Sequence, residues 1–312
     1  LEKACREMGR DYAGAVARGE SRGIKLDPDR LSLPQPEVTG RLNIEGYLSE
    51  PLRRAYVDPA SLVRLPREDL PPSRIGRFTS AWGDLLTRLD GSGILRLAPA
   101  EDTYRGPLGE DLRAEVFAVR KDEESDRSIL NRQRRNAIEE RVDGVTATFP
   151  HGSQIAEITL EDSERLRVSA DDLPDFYHTL GVSQERALSN VFGPWLSAEQ
   201  ARARCPRAWA ALAEEARERA EETDCVASLW GALPMGDGNA VGFGQEAHVN
   251  ALRRGGGMRD EELLVFRRPL PLGPVMEGTM VDDHVVLAVT KRGASRSAAL
   301  KELDGVMREG PA

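Results

Sequence analysis

The sequence predicts an α+β fold. Strand-like and helix-like segments are mixed without the regular strand–helix alternation of a parallel sheet. Two stretches read as strand pairs around charged turns, the signature of antiparallel hairpins. One long Ala/Glu/Arg-rich stretch reads as helix.

The elements follow in order. A short helix is expected over residues 2–18. The Pro-containing stretches LDPDRLSLPQPEV and LVRLPREDLPPSR then mark residues 1–75 as an irregular, peripheral region. Trp82, Leu85, Leu86 and Leu89 fall at helical spacing, and Gly91-Ser92-Gly93 stops the helix. Residues 116–119 and 128–130 read as two strands joined by the charged turn RKDEESDR, and a very basic stretch with Arg132, Arg134, Arg135 and Arg141 follows. Residues 155–160 and 165–170 are two further strand candidates. Residues 197–223 read as a helix that Ser197 and Gln200 open as a capping box and that Pro206 kinks or splits. A Gly-rich loop beginning at Gly236 runs into a helix that Gly255-Gly256-Gly257 ends. Residues 276–289 read as two strands around Asp282-Asp283, and a last helix is expected over 295–308.

Composition narrows the function classes. The 312 residues carry 43 Lys+Arg against 52 Asp+Glu, a net charge of −9 that excludes a uniformly basic nucleic-acid-coating protein but not a local basic channel. With 40% hydrophobic residues the chain can bury a sizeable core. No apolar run approaches a membrane span and no secretory leader is visible, so an intracellular, soluble protein is expected, cytoplasmic or nuclear. Cys5, Cys205 and Cys225 are far apart and form no CxxC, and the four histidines lack metal-ligand spacing.

Three segments carry the chemistry. In RLRVSADDLPDFYHTL (165–180) a strand ends in Asp171-Asp172 and the aromatic pair Phe176-Tyr177 follows. LPMGDGNAVGFGQEAHV (233–249) is a Gly-rich loop entering a helix, and TMVDDHVVLAV (279–289) sets two carboxylates at a hairpin tip. Alone, an Asp pair is an ordinary turn former, a Gly-rich run an ordinary loop, and the aromatics core residues. Together and in this order they resemble the palm of reverse transcriptases of the LTR-retroelement and retrovirus type. Asp172 followed five residues later by Tyr177 is similar to motif A of that family. The pattern Leu-Pro-x-Gly-x-x-Asn-Ala-x-x-x-x-Gln is met at Leu233, Pro234, Gly236, Asn239, Ala240 and Gln245. Asp282 and Asp283 fit the Tyr-x-Asp-Asp box, with Met280 in place of Tyr. Residues 117–136 resemble the fingers hairpin: Arg120, Lys121, Arg127 and Asn136 match, while Asn131 and Gln133 replace an Asp and an Arg.

The resemblance covers roughly 80–312 and implies polymerase-like fingers (76–164) and palm (165–312, with a helical segment over 183–232). An antiparallel palm sheet flanked by helices is implied, with the thumb absent and the palm truncated at its C-terminal end. The implied activity is RNA-directed DNA synthesis by two-metal nucleotidyl transfer on an RNA or DNA template with a DNA primer and a dNTP. Two Mg²⁺ ions, or Mn²⁺ instead, would be held by Asp172, Asp282, Asp283 and the carbonyl of Leu173. Arg120, Lys121 and Arg127 would fold over the triphosphate, and Tyr177 would lie under the dNTP sugar. Met235 and Gly236 would let template and base pair approach, and Gln245 would be a structural or template-side contact. Thumb and RNase H segments are expected on the rest of a polyprotein. Asp237 places an acid in a loop that in the family faces nucleic acid. The alternatives are a degenerate or domesticated relative that binds nucleic acid or serves as a structural module without activity, and an unrelated α+β protein whose acidic turns are merely surface.

Overall fold

The computed structural model describes residues 23, 24, 26–66, 69–73, 81–142 and 148–293; the helices expected over 2–18 and 295–308 lie outside them. Eight strands of five or more residues are present among the described residues. They are β1 (Leu95–Pro99), β2 (Glu115–Arg120), β3 (Asp126–Asn131), β4 (Glu164–Asp172), β5 (Val191–Leu196), β6 (Val226–Trp230), β7 (Val275–Met280) and β8 (Asp283–Lys291). They pair antiparallel as β2–β3, β1–β6–β5 and β4–β8–β7, among helices, so the architecture is α+β. No helix among the described residues is long and apolar enough to cross a membrane.

The chain forms two compact units, one from 1–42, 62–140 and 177–238, the other from 43–61, 141–176 and 239–312. In the first, β6 is the central strand of its sheet and all five of its residues are buried, which is why VASLW is apolar apart from Ser228 and shows no apolar–polar alternation. The helix Trp82–Gly91 turns Leu85, Leu86 and Leu89 into the same core as Leu97, Phe192 and Trp230. The stretch expected as one helix over 197–223 is three: Ala198–Arg204, Pro206–Ala210 and Glu214–Thr223. Pro206 cannot donate an in-helix hydrogen bond and so opens the second piece. The capping box forms as expected, with Ser197 Oγ accepting from Gln200 N and Gln200 Oε1 accepting from Ser197 N, both at 3.1 Å.

In the second unit, β8 lies between β4 and β7, over a small core of Leu264, Met276 and Leu287. The strand expected over 155–160 is instead the 3₁₀ helix Gly152–Glu157. There His151 accepts from Ser153 N, and Gln154 both accepts from His151 N and donates to Val265 O, so local capping wins over the apolar alternation.

The described residues within 1–75 are divided between the two units. Ile24 bridges Ala118 antiparallel in the first unit, where Leu31 is buried and Arg30 pairs with the buried Asp126 at 3.2 Å. Residues 43–61 belong to the second unit and include the helix Glu50–Val57, which buries Leu52, Ala55 and Tyr56. Pro51 in its first turn is a helix opener, not the irregular-chain signal that the proline content implied.

Candidate functional site

The acidic residues of the two expected metal-binding segments meet through the pairing of β4 with β8. Asp172 lies directly opposite Asp283, so their side chains emerge on one face of the sheet, and Asp171 lies opposite His284 on the other. Past the end of β4, Leu173 N donates to Asp282 O at 3.2 Å. Asp172, Leu173, Asp282 and Asp283 are thus brought to one sheet end by backbone pairing alone. All are exposed or half-buried, as is Met280, which lies opposite Asp283 at the end of β7. Hard carboxylate and carbonyl oxygens at one place are the donor chemistry a Mg²⁺ ion favours. Among the described residues, no group of three or more His, Cys, Asp or Glu side chains is arranged to enclose a metal ion.

The turn carrying Asp282 is strained and clamped. Val281 has φ +61°, a left-handed conformation that costs a β-branched residue on the order of 1–3 kcal/mol. The helix Ala240–Arg254 holds it there, with Gln245 and His248 three residues apart on one face. Gln245 Oε1 accepts from Val281 N at 2.7 Å, and Gln245 Nε2 donates to Thr279 O at 2.9 Å and to Thr148 Oγ1 at 3.3 Å. His248 Nδ1, as the protonated ring nitrogen of the neutral tautomer, donates to Val281 O at 2.7 Å. Gln245 is 0% exposed, so its amide positions the hairpin and is not offered to a nucleotide. Burial lowers the His248 pKa, aided by the neighbouring His284 and opposed by Val281 O and Asp282. Behind the hairpin, His284 Nε2 approaches Glu277 at 3.4 Å. Burial works against the Glu277 carboxylate, but the His284 hydrogen bond and the Met258 N–H hold its pKa below the usual range.

The other expected site residues lie in the first unit. Arg120, Lys121 and Arg127 are exposed on the β2–β3 hairpin, where Asp122 closes the turn by accepting from Glu124 N and Ser125 N. Lys121 Nζ donates to Ser32 Oγ at 2.9 Å. Tyr177, half-buried, sits on the one-turn helix Phe176–Thr179. Met235 O accepts from Leu130 N at 3.0 Å, which docks the Gly-rich loop on the end of β3. Gly236 has φ +113°, and a Cβ there would stand 2.1 Å from Leu130 O, so only glycine fits. Asn136 straddles the loop, donating from Nδ2 to Gly236 O at 2.8 Å and accepting at Oδ1 from Gly238 N at 3.1 Å. A cleft of about 570 Å³ opens beside it, lined in part by Leu130, Asn131, Gln133, Asn136 and Gly236.

Asp237 corrects an expectation. Rather than presenting an acid to a ligand, its side chain is 0% exposed and pairs with Arg132 at 2.6 Å and Arg186 at 2.8 Å. Glu139 joins them, 3.3 Å from Arg132 and 2.6 Å from Arg135. Burial works against the Arg132 charge, yet Asp237 and then Glu139 raise its pKa; for Arg135 burial outweighs Glu139 and its pKa is lowered. Two arginines of the very basic stretch, Arg132 and Arg135, thus lie buried in an internal ion-pair network that fastens this loop. His248, absent from the expected site, was recoverable from its position one helical turn beyond Gln245.

No family model matches the sequence, and no curated protein matches it. Among solved structures, the chain is similar to the foamy viral protease-reverse transcriptase dRH in complex with ds DNA, at a TM-score of 0.39 and 14% identity. The match covers 91% of this chain and 43% of that one, so the chain spans less than half of that protein. A TM-score this low carries no weight for fold or function.

Proposed function

We propose that the chain is the fingers and palm portion of an RNA-directed DNA polymerase of the retroelement type. What supports this reading above all is the β4–β8 pairing. Two acidic segments selected by their motifs, far apart in sequence, are neighbours at one sheet end, with Asp172 opposite Asp283 and Leu173 N bonded to Asp282 O.

In this reading Asp172 and Asp282 would hold the divalent cations, Asp283 would add negative charge beside them, and the Leu173 carbonyl would add an oxygen. Two divalent cations, when bound, would activate the primer 3′-OH and stabilise the oxygens of the leaving pyrophosphate. Gln245 and His248 hold the Val281 backbone, so the Asp282 carboxylate is aimed before substrate arrives. Arg120, Lys121 and Arg127 neutralise the triphosphate. Tyr177 excludes a 2′-OH, which favours deoxynucleotides. The flat Met235–Gly236 backbone and the cleft beside it accommodate the template. The duplex is gripped through its phosphates rather than its base edges.

The test is dTTP incorporation on poly(rA)/oligo(dT) with Mg²⁺ or Mn²⁺, comparing the wild type with Asp282→Asn. Incorporation that is lost in the variant supports the reading; incorporation that survives it means the active residues lie elsewhere. A second reading, a relative without activity that binds nucleic acid, is favoured by one observation. Among the described residues the carboxylates do not close into a three-membered group. Retention of poly(rA)/oligo(dT) by a wild type that incorporates nothing would select it.

A further inference from the structure

The second unit contains a cleft that the polymerase reading does not use. It encloses about 360 Å³, within the range of small-molecule sites. Its floor is apolar: Leu52, Val249, Met258 and Val265 are buried, and Leu263 is half-buried. Glu246, Val249, Asn250 and Arg253 face it from the helix Ala240–Arg254, whereas Gln245 and His248 of that helix turn to the hairpin.

The polar rim is almost wholly engaged. Glu246 accepts from both Ser49 N and Ser49 Oγ. Asn250 donates to Tyr47 O at 2.6 Å. Arg253 donates to Met258 O and pairs with Asp260 at 2.6 Å. Thr148 accepts from Gln245. Arg268 differs. It lines the cleft, and among the described residues nothing engages its guanidinium. Arg253 and Asp260 cancel as a pair, and Glu246 keeps its charge but is turned to Ser49, so among the described residues Arg268 is the rim cation whose guanidinium is left available over the apolar floor.

We propose that this cleft is a binding site for a small amphipathic organic anion, with its apolar body on Val249, Met258 and Val265 and its anionic head on Arg268. A carboxylate, sulfonate or phosphate head matches the planar donor fork of the guanidinium. The occupant is small, since the volume admits a compact drug-sized body and not a peptide segment.

The probe pair 8-anilinonaphthalene-1-sulfonate and N-phenyl-1-naphthylamine tests this, because the two share one apolar body and differ only in the sulfonate. Fluorescence titration of the full chain should show saturable, one-to-one binding of the sulfonate. Arg268→Gln, an exposed change, should weaken the sulfonate about tenfold and leave the neutral analogue unchanged. Leu263→Trp, which occupies the cleft from a half-buried position, should weaken both, with far-UV circular dichroism reporting that each variant is folded. Absence of stoichiometric binding to the wild type overturns the proposal. So does sulfonate affinity that Arg268→Gln leaves intact, or probe binding that Leu263→Trp leaves intact in a folded protein.

Discussion

Replacing Gln245 by leucine should loosen the acidic hairpin more than any exposed substitution near it. The swap nearly conserves volume, so it opens little cavity and isolates the amide. The Gln245 side chain makes three hydrogen bonds, to Val281 N, Thr279 O and Thr148 Oγ1. Thr279 is 0% exposed and Gln245 likewise, so water cannot replace the lost partners at Thr279; Val281, half-buried, can be rehydrated in part. With about 1 kcal/mol net per hydrogen bond and about 1–3 kcal/mol for a buried group left without one, the expected cost is about 2–4 kcal/mol. Urea unfolding followed by circular dichroism measures it. Amide exchange at residues 279–283 localises it, and a loss of this size should speed local exchange by on the order of 30-fold or more. The strain at Val281 adds a second arm. In a Val281→Gly background the left-handed backbone is tolerated, so Gln245→Leu should cost about 1 kcal/mol less there. A cost below about 0.5 kcal/mol for Gln245→Leu, with unchanged exchange at the hairpin, would refute the clamp.

Three further outcomes follow from the same contacts. Gly236→Ala forces a Cβ to 2.1 Å from Leu130 O at φ +113°, and should lower stability by about 2–4 kcal/mol by urea unfolding. Asp237→Ala leaves Arg132 and Arg186 buried without their shared carboxylate, and should cost about 3–5 kcal/mol by the same measure. His248, its pKa lowered below the usual 6.5 by burial, is neutral in the folded state over a range where the unfolded chain takes up a proton. Its contribution is therefore complete above 6.5 and is lost as pH falls below that value toward the folded pKa. His248→Leu should flatten the decline in unfolding free energy between about pH 7 and about pH 5, and an unchanged slope would count against a buried, neutral imidazole.

Much of the fold was legible because its signals are local. The β2–β3 hairpin, the helix from Trp82, the capping box at Ser197 and the Asp282-Asp283 turn each follow from periodicity or turn chemistry within a few residues. Where tertiary partners decide, reading along the chain fell short. Residues 155–160 look like a strand until His151 and Gln154 are seen to cap a 3₁₀ turn. The Pro-containing region 1–75 looks peripheral until Leu31, Leu52 and Tyr56 are found buried. The two acidic segments are neighbours because two paired strand ends carry them. The arginines were not so legible: the basic stretch 132–135 contains Arg132 and Arg135, which pair internally with Asp237 and Glu139, since charge sign along a sequence does not tell a surface guanidinium from a buried one. The net charge of −9 likewise conceals that three of the acids, Asp172, Asp282 and Asp283, are gathered at one sheet end.

The central claim is that this sheet end performs nucleotidyl transfer, and incorporation of labelled dTTP on poly(rA)/oligo(dT) by the full chain tests it most directly. The account predicts divalent-cation-dependent incorporation by the wild type that falls to background in Asp282→Asn while the variant keeps its fold. Incorporation that persists in Asp282→Asn, or a wild type that binds primer–template and yet incorporates nothing with either Mg²⁺ or Mn²⁺, would contradict it.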